Sequence, residues 1–212
     1  MAVAKICGLS TCPALDAALD GGAAFVGFNF FPRSPRWVSL DAAAGLASVA
    51  RGRTMVVAVT VDPDDALIDQ LKAELAPDFI QLHGTETPAR AREIANRSGA
   101  AIIKALAVST ATDLDFALPF EGVAQHLMFD AKAPAHASRP GGLGEPFDWS
   151  ILAGRRFARP WFLAGGLDAD NVITAITASG APMVDVSSGV ERAGGLKDPA
   201  LIIRFLAAVA RV

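Results

Sequence analysis

Cys7, in Lys5-Ile6-Cys7-Gly8, ends the first apolar run of the chain, and Asp130, in Phe129-Asp130-Ala131, ends a later one. A thiolate can take a proton and a carboxylic acid can give one, provided their surroundings move the two pKa values apart. The two residues are therefore candidates for a general base and a general acid. Each also has a plainer reading: a buried apolar cysteine, and a helix cap or loop anchor. Two stretches, Ala164-Gly165-Gly166-Leu167 and Ser187-Ser188-Gly189-Val190, follow the last two apolar runs. Glycines let backbone N–H groups approach an anion, and helix N-termini favour negative charge. Gly165, Gly166, Ser188 and Gly189 are thus candidates for holding a phosphate, with tight turns as the alternative.

Arg33 and Arg36 lie in Phe31-Pro32-Arg33-Ser34-Pro35-Arg36-Trp37. Arginine suits bidentate capture of a carboxylate, and proline stiffens the loop that carries it. A solvated arginine is the competing reading, more so for Arg33. His83 ends a short apolar run and is expected to line a pocket wall through hydrogen bonds. His126 begins a run and belongs at the opposite end, and His136 lies in a long polar loop. These three histidines with Cys7 and Cys12 match no metal-ligand spacing, so no metal site is expected. Lys5 shares a strand face with Cys7. It is expected to point inward one layer below the thiol, where a cation favours a thiolate, and Asp185 is its expected partner.

Positioning these residues is the work of the alternating elements. Strand-like runs are Val3–Cys7, Ala24–Phe28, Met55–Val61, Phe79–Leu82, Ala101–Leu106, His126–Asp130, Trp161–Ala164 and Met183–Val186. They lack polar/apolar alternation, as parallel strands buried on both faces do. Helical segments are read at Pro13–Asp20, Leu40–Arg51 (Ser39 as N-cap), Asp64–Ala76 (after a start signal at Asp62-Pro63), Thr87–Ser98, Ala111–Leu118, Asp148–Leu152, Ala169–Ser179 and Pro199–Ala210. Eight such units predict one α/β domain over residues 1–212, a (β/α)₈ barrel of the TIM type, with the active site at the carboxyl ends of the strands. An open doubly wound sheet is the alternative, but Cys7-Gly8-Leu9-Ser10 lacks its glycine fingerprint. The irregular stretch Ala131–Phe147, with Pro134, Pro140, Gly141, Gly142, Gly144 and Pro146, is long enough to suggest a functional loop.

Composition narrows the class. At 212 residues, 52% apolar and 19% charged, the chain can bury a large core. A net charge of −3 without a Lys/Arg cluster argues against nucleic acid. No apolar run approaches the roughly 20 residues that span a bilayer, and no secretory signal is read at the start. Two cysteines make no disulfide framework, so a cytoplasmic protein with free thiols is expected. With no tyrosine in the chain, tyrosine acid/base chemistry is excluded.

The motifs together resemble the phosphoribosylanthranilate isomerase family of tryptophan biosynthesis. They are KICG (5–8), GFNFFPRSPRWVS (27–39), QLHG (81–84), FDA (129–131), GGLGEPFDW (141–149), LAGGL (163–167) and VDVSSGVE (184–191). The resemblance implies a cofactor-independent Amadori rearrangement of N-(5-phosphoribosyl)anthranilate to 1-(2-carboxyphenylamino)-1-deoxyribulose 5-phosphate, in a monomer or homodimer. It implies Cys7 as general base, Asp130 as general acid and Arg36 against the anthranilate moiety. Gly165, Gly166, Ser188 and Gly189 would hold the phosphate, and Asp185 and His83 would meet other substrate groups. Ser10, Cys12-Pro13 and the length of the loop after Asp130 depart from the family pattern. Related histidine-pathway isomerases use a carboxylate at the first strand tip, which Cys7 speaks against. A barrel that binds a phosphorylated ligand without turning it over is the non-enzyme alternative.

Overall fold

Eight short runs rich in Val, Ile, Leu and Phe form parallel strands that pair in chain order and close into a barrel. They are β1 (Val3–Cys7), β2 (Phe25–Asn29), β3 (Met55–Thr60), β4 (Phe79–Leu82), β5 (Ala101–Val108), β6 (His126–Ala131), β7 (Trp161–Leu163) and β8 (Met183–Val186), with β8 pairing back onto β1. The computed structural model describes residues 2–132, 147–192 and 195–212. The closed barrel is the architecture expected, and the open sheet is excluded.

Closure explains why these strands are apolar throughout. One face of each meets helices; the other fills the barrel. Ile6, Val26, Ala58, Ile80, Ile102, Leu127, Leu163 and Val184 join the outer core beneath the helices. Phe25, Val57, Ile103, Met128, Phe162 and Met183 fill the inside, together with Cys7. Near the amino ends of the strands Phe25 packs edge-on to Phe79 and Phe162, with ring centroids 5.6 and 5.2 Å apart, and His126 lies 5.2 Å from Phe79. His126 is thus in an aromatic plug far from the mouth, as its place in the chain implied. The plug leaves only the carboxyl ends for polar chemistry.

The helices are α1 (Cys12–Asp20), α2 (Leu40–Ala50), α3 (Asp65–Gln70), α4 (Pro88–Ser98), α5 (Val172–Ser179) and α6 (Pro199–Val209). Ser39 caps α2 as expected, accepting from the Ala42 N–H, a bond worth about 1 kcal/mol. Elsewhere the local reading needs correction. The third helix is capped by Asp64, which accepts from the Leu67 N–H. Asp62 is instead part of a turn at φ +45°, its carboxylate bonded to the Thr85 N–H. Past Gln70 the helix widens into a π-type turn over Leu71–Leu75. The segment read as helical at 111–118 is a 3₁₀ helix over Ala111–Phe120, with Pro119, which lacks an N–H, inside it. Trp149–Leu152 is likewise 3₁₀. The helix after β7 begins at Val172 because Asp168 first ties the Asp170 and Asn171 N–H groups into a turn. Most of the long 131–147 loop, including His136, lies outside the described residues. No described helix is long and apolar enough to cross a membrane.

Candidate active site

The carboxyl ends of the strands surround a cleft open to solvent. Cys7, Arg36, His83, Asp130, Gly165, Gly166, Asp185 and Ser188 all line it, joined by Asn29, Gln81 and Ser187.

Cys7 reaches the cleft because β1 ends there and the Gly8 and Leu9 N–H groups both turn onto the Gly27 carbonyl. An added Cβ at Gly27 would lie 3.3 Å from Cys7 Sγ and 3.4 Å from Lys5 Cε, so thiol and lysine stem stack on the same inner wall. Lys5 is wholly buried, and its Nζ donates to Asp185 Oδ1 at 2.6 Å. The β1–β8 register sets Lys5 beside Asp185, giving the pairing that parity predicted. Burial disfavours the Lys5 charge, but Asp185 and Cys7 outweigh it and the ammonium's pKa is raised. For Cys7 the balance goes the other way. Burial pushes the thiol up; Lys5 and Lys197 pull it down, while Asp185 adds to the rise. The lysine therefore acts with the predicted sign, yet burial exceeds it and the unliganded residue rests as a thiol.

Across the mouth, β6 delivers Asp130. Its Oδ1 accepts from the Ala131 N–H at 2.9 Å, and its Oδ2 lies 3.1 Å from His83 Nε2. His83 is therefore a hydrogen-bonded wall residue, as predicted, with Gln81 Nε2 at 2.9 Å from its other nitrogen. Gly165 makes this possible. Its φ is +85°, and a Cβ there would stand 2.6 Å from the Ala131 nitrogen and 3.1 Å from Asp130 Oδ1. Of the proposed anion residues, Gly165, Gly166 and Ser188 border the cleft, whereas Gly189 packs beneath. A Cβ at Gly189 would fall 2.0 Å from the Leu167 carbonyl oxygen, so loop packing is a reason for this glycine.

Arg36 is buried at the rim and Arg33 is exposed. Glu191 grips the Arg36 guanidinium with two oxygens, Oε1 to Nε at 2.5 Å and Oε2 to Nη2 at 3.0 Å. The same carboxylate is bonded by Lys197, whose Nζ also donates to the Ser187 carbonyl and hydroxyl oxygens, each at 3.1 Å. Burial works against the Glu191 charge, but Arg36 and Lys197 hold its pKa below the ordinary value. Burial in turn lowers the pKa of Lys197. Glu191 and Lys197 were not legible as site residues. Glu191 sits in the VDVSSGVE motif without a local sign of its role, and nothing around Lys197 marks it. Among the described residues no group of three His, Cys, Asp or Glu side chains could hold a metal ion.

Eight parallel strands closed in chain order, with titratable side chains gathered at their carboxyl ends, define a barrel of the (β/α)₈ class. The sequence model of the family described as N-(5'-phosphoribosyl)anthranilate (PRA) isomerase matches residues 4–208. The chain belongs to that family. It is 62% identical over 213 residues to the N-(5'-phosphoribosyl)anthranilate isomerase of Caulobacter sp. (strain K31), covering 100% of both chains. It is 50% identical to the Bradyrhizobium sp. (strain ORS 278) enzyme, over 96% of this chain and 93% of that one. The crystal structure of phosphoribosyl anthranilate isomerase from Thermotoga maritima superposes with a TM-score of 0.89 at 33% identity, covering 100% of both chains. A phosphoribosyl anthranilate isomerase solved in complex with reduced 1-(o-carboxyphenylamino)-1-deoxyribulose 5-phosphate gives 0.86 at 30% identity, again over 100% of both. The chain is thus an isomerase of tryptophan biosynthesis, converting PRA to the aminoketose.

Proposed function

We propose that Asp130 is the general acid and Cys7 the general base of this rearrangement. The observation that carries the reading is that the two residues, from strands on different sides of the barrel, line one cleft. As general acid, Asp130 gives a proton to the furanose ring oxygen, so the C1–O bond breaks and the anilino nitrogen becomes an iminium. The iminium acidifies the proton on sugar C2. It also places a positive charge in the cleft, which adds to Lys5 and brings the raised Cys7 pKa down. The Cys7 thiol first gives its own proton to solvent through the open cleft, and the thiolate then takes the C2 proton, giving an enolamine. Cys7 returns that proton to C1 and the Asp130 carboxylate takes the 2-hydroxyl proton, which gives the ketone and restores the acid. The thiolate regains its proton from solvent once the product leaves. No redox or group-carrying cofactor is required.

Ligand positioning follows from the rim. Gly165, Gly166 and Ser188 hold the phosphate, with Gly189 shaping their loop from beneath. Arg36, held by Glu191, faces the anthranilate carboxylate. Asp185 orients substrate hydroxyls from beside Lys5. Fixing both ends keeps the opened chain between acid and base. The likeness to a ligand-bound relative at full length supports this reading. The Thermotoga maritima enzyme is described as dimeric; a monomer or a homodimer remains the reading for this chain, in the cytoplasm.

The test is consumption of PRA by the purified protein without added metal or cofactor. Cys7→Ser and Asp130→Asn should each lower kcat by roughly 100-fold or more. Full activity in either variant would remove that residue's role.

A further inference from the structure

Gln81, on β4 and lining the cleft, lies two residues before His83 and is only 1% exposed. Its amide nitrogen is 2.9 Å from His83 Nδ1 and 3.4 Å from Met128 Sδ. Its amide oxygen is buried and has no hydrogen-bond partner among the described residues. A buried unpaired carbonyl costs free energy, so its orientation needs a reason. Reversing the amide would turn its oxygen toward the Met128 sulfur, itself only an acceptor, and would withdraw the donor from His83. The orientation found gives both amide hydrogens an acceptor.

We propose that Gln81 is a positioning residue that fixes the tautomer of His83, and through it the direction in which Asp130 releases its proton. A donor at Nδ1 requires that nitrogen to carry a lone pair. The neutral imidazole must then hold its proton on Nε2, which faces Asp130 Oδ2 at 3.1 Å. His83 consequently donates to Asp130 and cannot accept its proton. With the Ala131 N–H on Oδ1, each carboxyl oxygen is met by one protein donor. Among the described residues the acid's proton has no side-chain acceptor there, and it leaves toward the cleft. The carboxylate left behind keeps both donors. Met128, wholly buried in the inner core, accepts from the same amide nitrogen through its sulfur.

The consequence for Asp130 rests on the acid role proposed above; the tautomer does not. Long-range ¹H–¹⁵N correlation NMR on histidine-labelled protein, with His83→Asn identifying the signal, reads the tautomer directly. At neutral pH, His83 of the wild type should carry its proton on Nε2. In Gln81→Met it should become a mixture or shift to Nδ1–H. PRA turnover by that variant should lose roughly 10- to 100-fold in kcat, the worth of a hydrogen bond to a charged group, with KM changing little. A wild-type His83 protonated on Nδ1 overturns the proposal even if no variant folds. An unchanged tautomer in Gln81→Met overturns it as well. Unchanged kcat despite a changed tautomer overturns its link to Asp130. A correct tautomer in a wild type that does not consume PRA would refute the isomerase chemistry and leave the tautomer assignment standing.

Discussion

Lys5 Nζ and Asp185 Oδ1 form an ion pair of 2.6 Å inside the barrel, one layer below the Cys7 thiol. The lysine side chain is 0% exposed and the aspartate 9%. Removing one partner of such a pair leaves the other charge buried and alone, which costs about 3–5 kcal/mol. Lys5→Met should therefore lower stability by about that amount. It should also remove the cation that most strongly draws the thiol pKa down. In a Cys12→Ser background, to silence the other thiol, the pH midpoint for alkylation of Cys7 should rise relative to the parent. An unchanged midpoint would mean that Lys5 does not act on the thiol.

The parent protein has its own pH signature. Burial raises the Cys7 pKa above the ordinary value of 9.0. The thiolate is the minor form at neutral pH, and its fraction grows as pH rises through the alkaline range. Alkylation of Cys7 in the unliganded protein should therefore be slow at pH 7 and accelerate continuously beyond pH 9. A cationic analogue of the iminium bound in the cleft should move that midpoint downward. A rate already at its plateau at pH 7 would contradict the balance of burial and charge.

Glu191 joins Arg36 to Lys197, and its side chain is 9% exposed. Its pKa is depressed below the ordinary glutamate value of 4.5. A carboxylate depressed in the folded state adds stability that is fully present above its unfolded pKa and is lost as pH falls through the folded one. Unfolding free energies from urea titrations of the parent and of Glu191→Gln should thus differ at pH 7 by about 3 kcal/mol, and the gap should close as the pH falls from 4.5 through the depressed pKa. The variant should also show a raised KM for PRA, because Arg36 loses the grip that aims it. A gap that persists at low pH would place the loss in packing, not in charge.

Gly165 is expected to tolerate no side chain. Ala at this position would meet the Ala131 nitrogen at 2.6 Å and must adopt φ +85°. The strain should cost about 1–3 kcal/mol. If Asp130 is the acid proposed above, displacing it should cost roughly 100-fold in kcat, since small errors in placing a reacting group are expensive. Gly22, also at positive φ but with open space around it, is the control: Ala there carries only the backbone strain and should spare kcat.

Much of the fold could be read from local pattern. The ends of β1, β4 and β8 fall where Cys7, Leu82 and Val186 close their apolar runs. An apolar run without alternation admits few settings other than a strand covered on both sides. Helical type was less legible. The 3₁₀ stretch at Ala111–Phe120 and the wide turn at Leu71–Leu75 depend on which hydrogen-bond spacing the packed chain can satisfy, and residue preferences barely distinguish these.

By itself the sequence determined the strand tips, and so which residues could reach one mouth: Cys7, His83, Asp130, Gly165, Gly166, Asp185 and Ser188. Strand parity and the barrel rule suffice for that, because side chains alternate and only one end of the barrel is open to chemistry. The tertiary structure decided what those residues are. Whether Cys7 rests as thiol or thiolate depends on burial and Asp185 set against Lys5 and Lys197, groups from separate parts of the chain. Whether Arg36 is solvated or held depends on Glu191, 155 residues away. What meets the Asp130 carboxyl depends on His83, 47 residues away, with the Gln81 amide behind it. Charge and hydrogen bonding act through space over a few ångströms, and closure of the barrel brought these partners within that range.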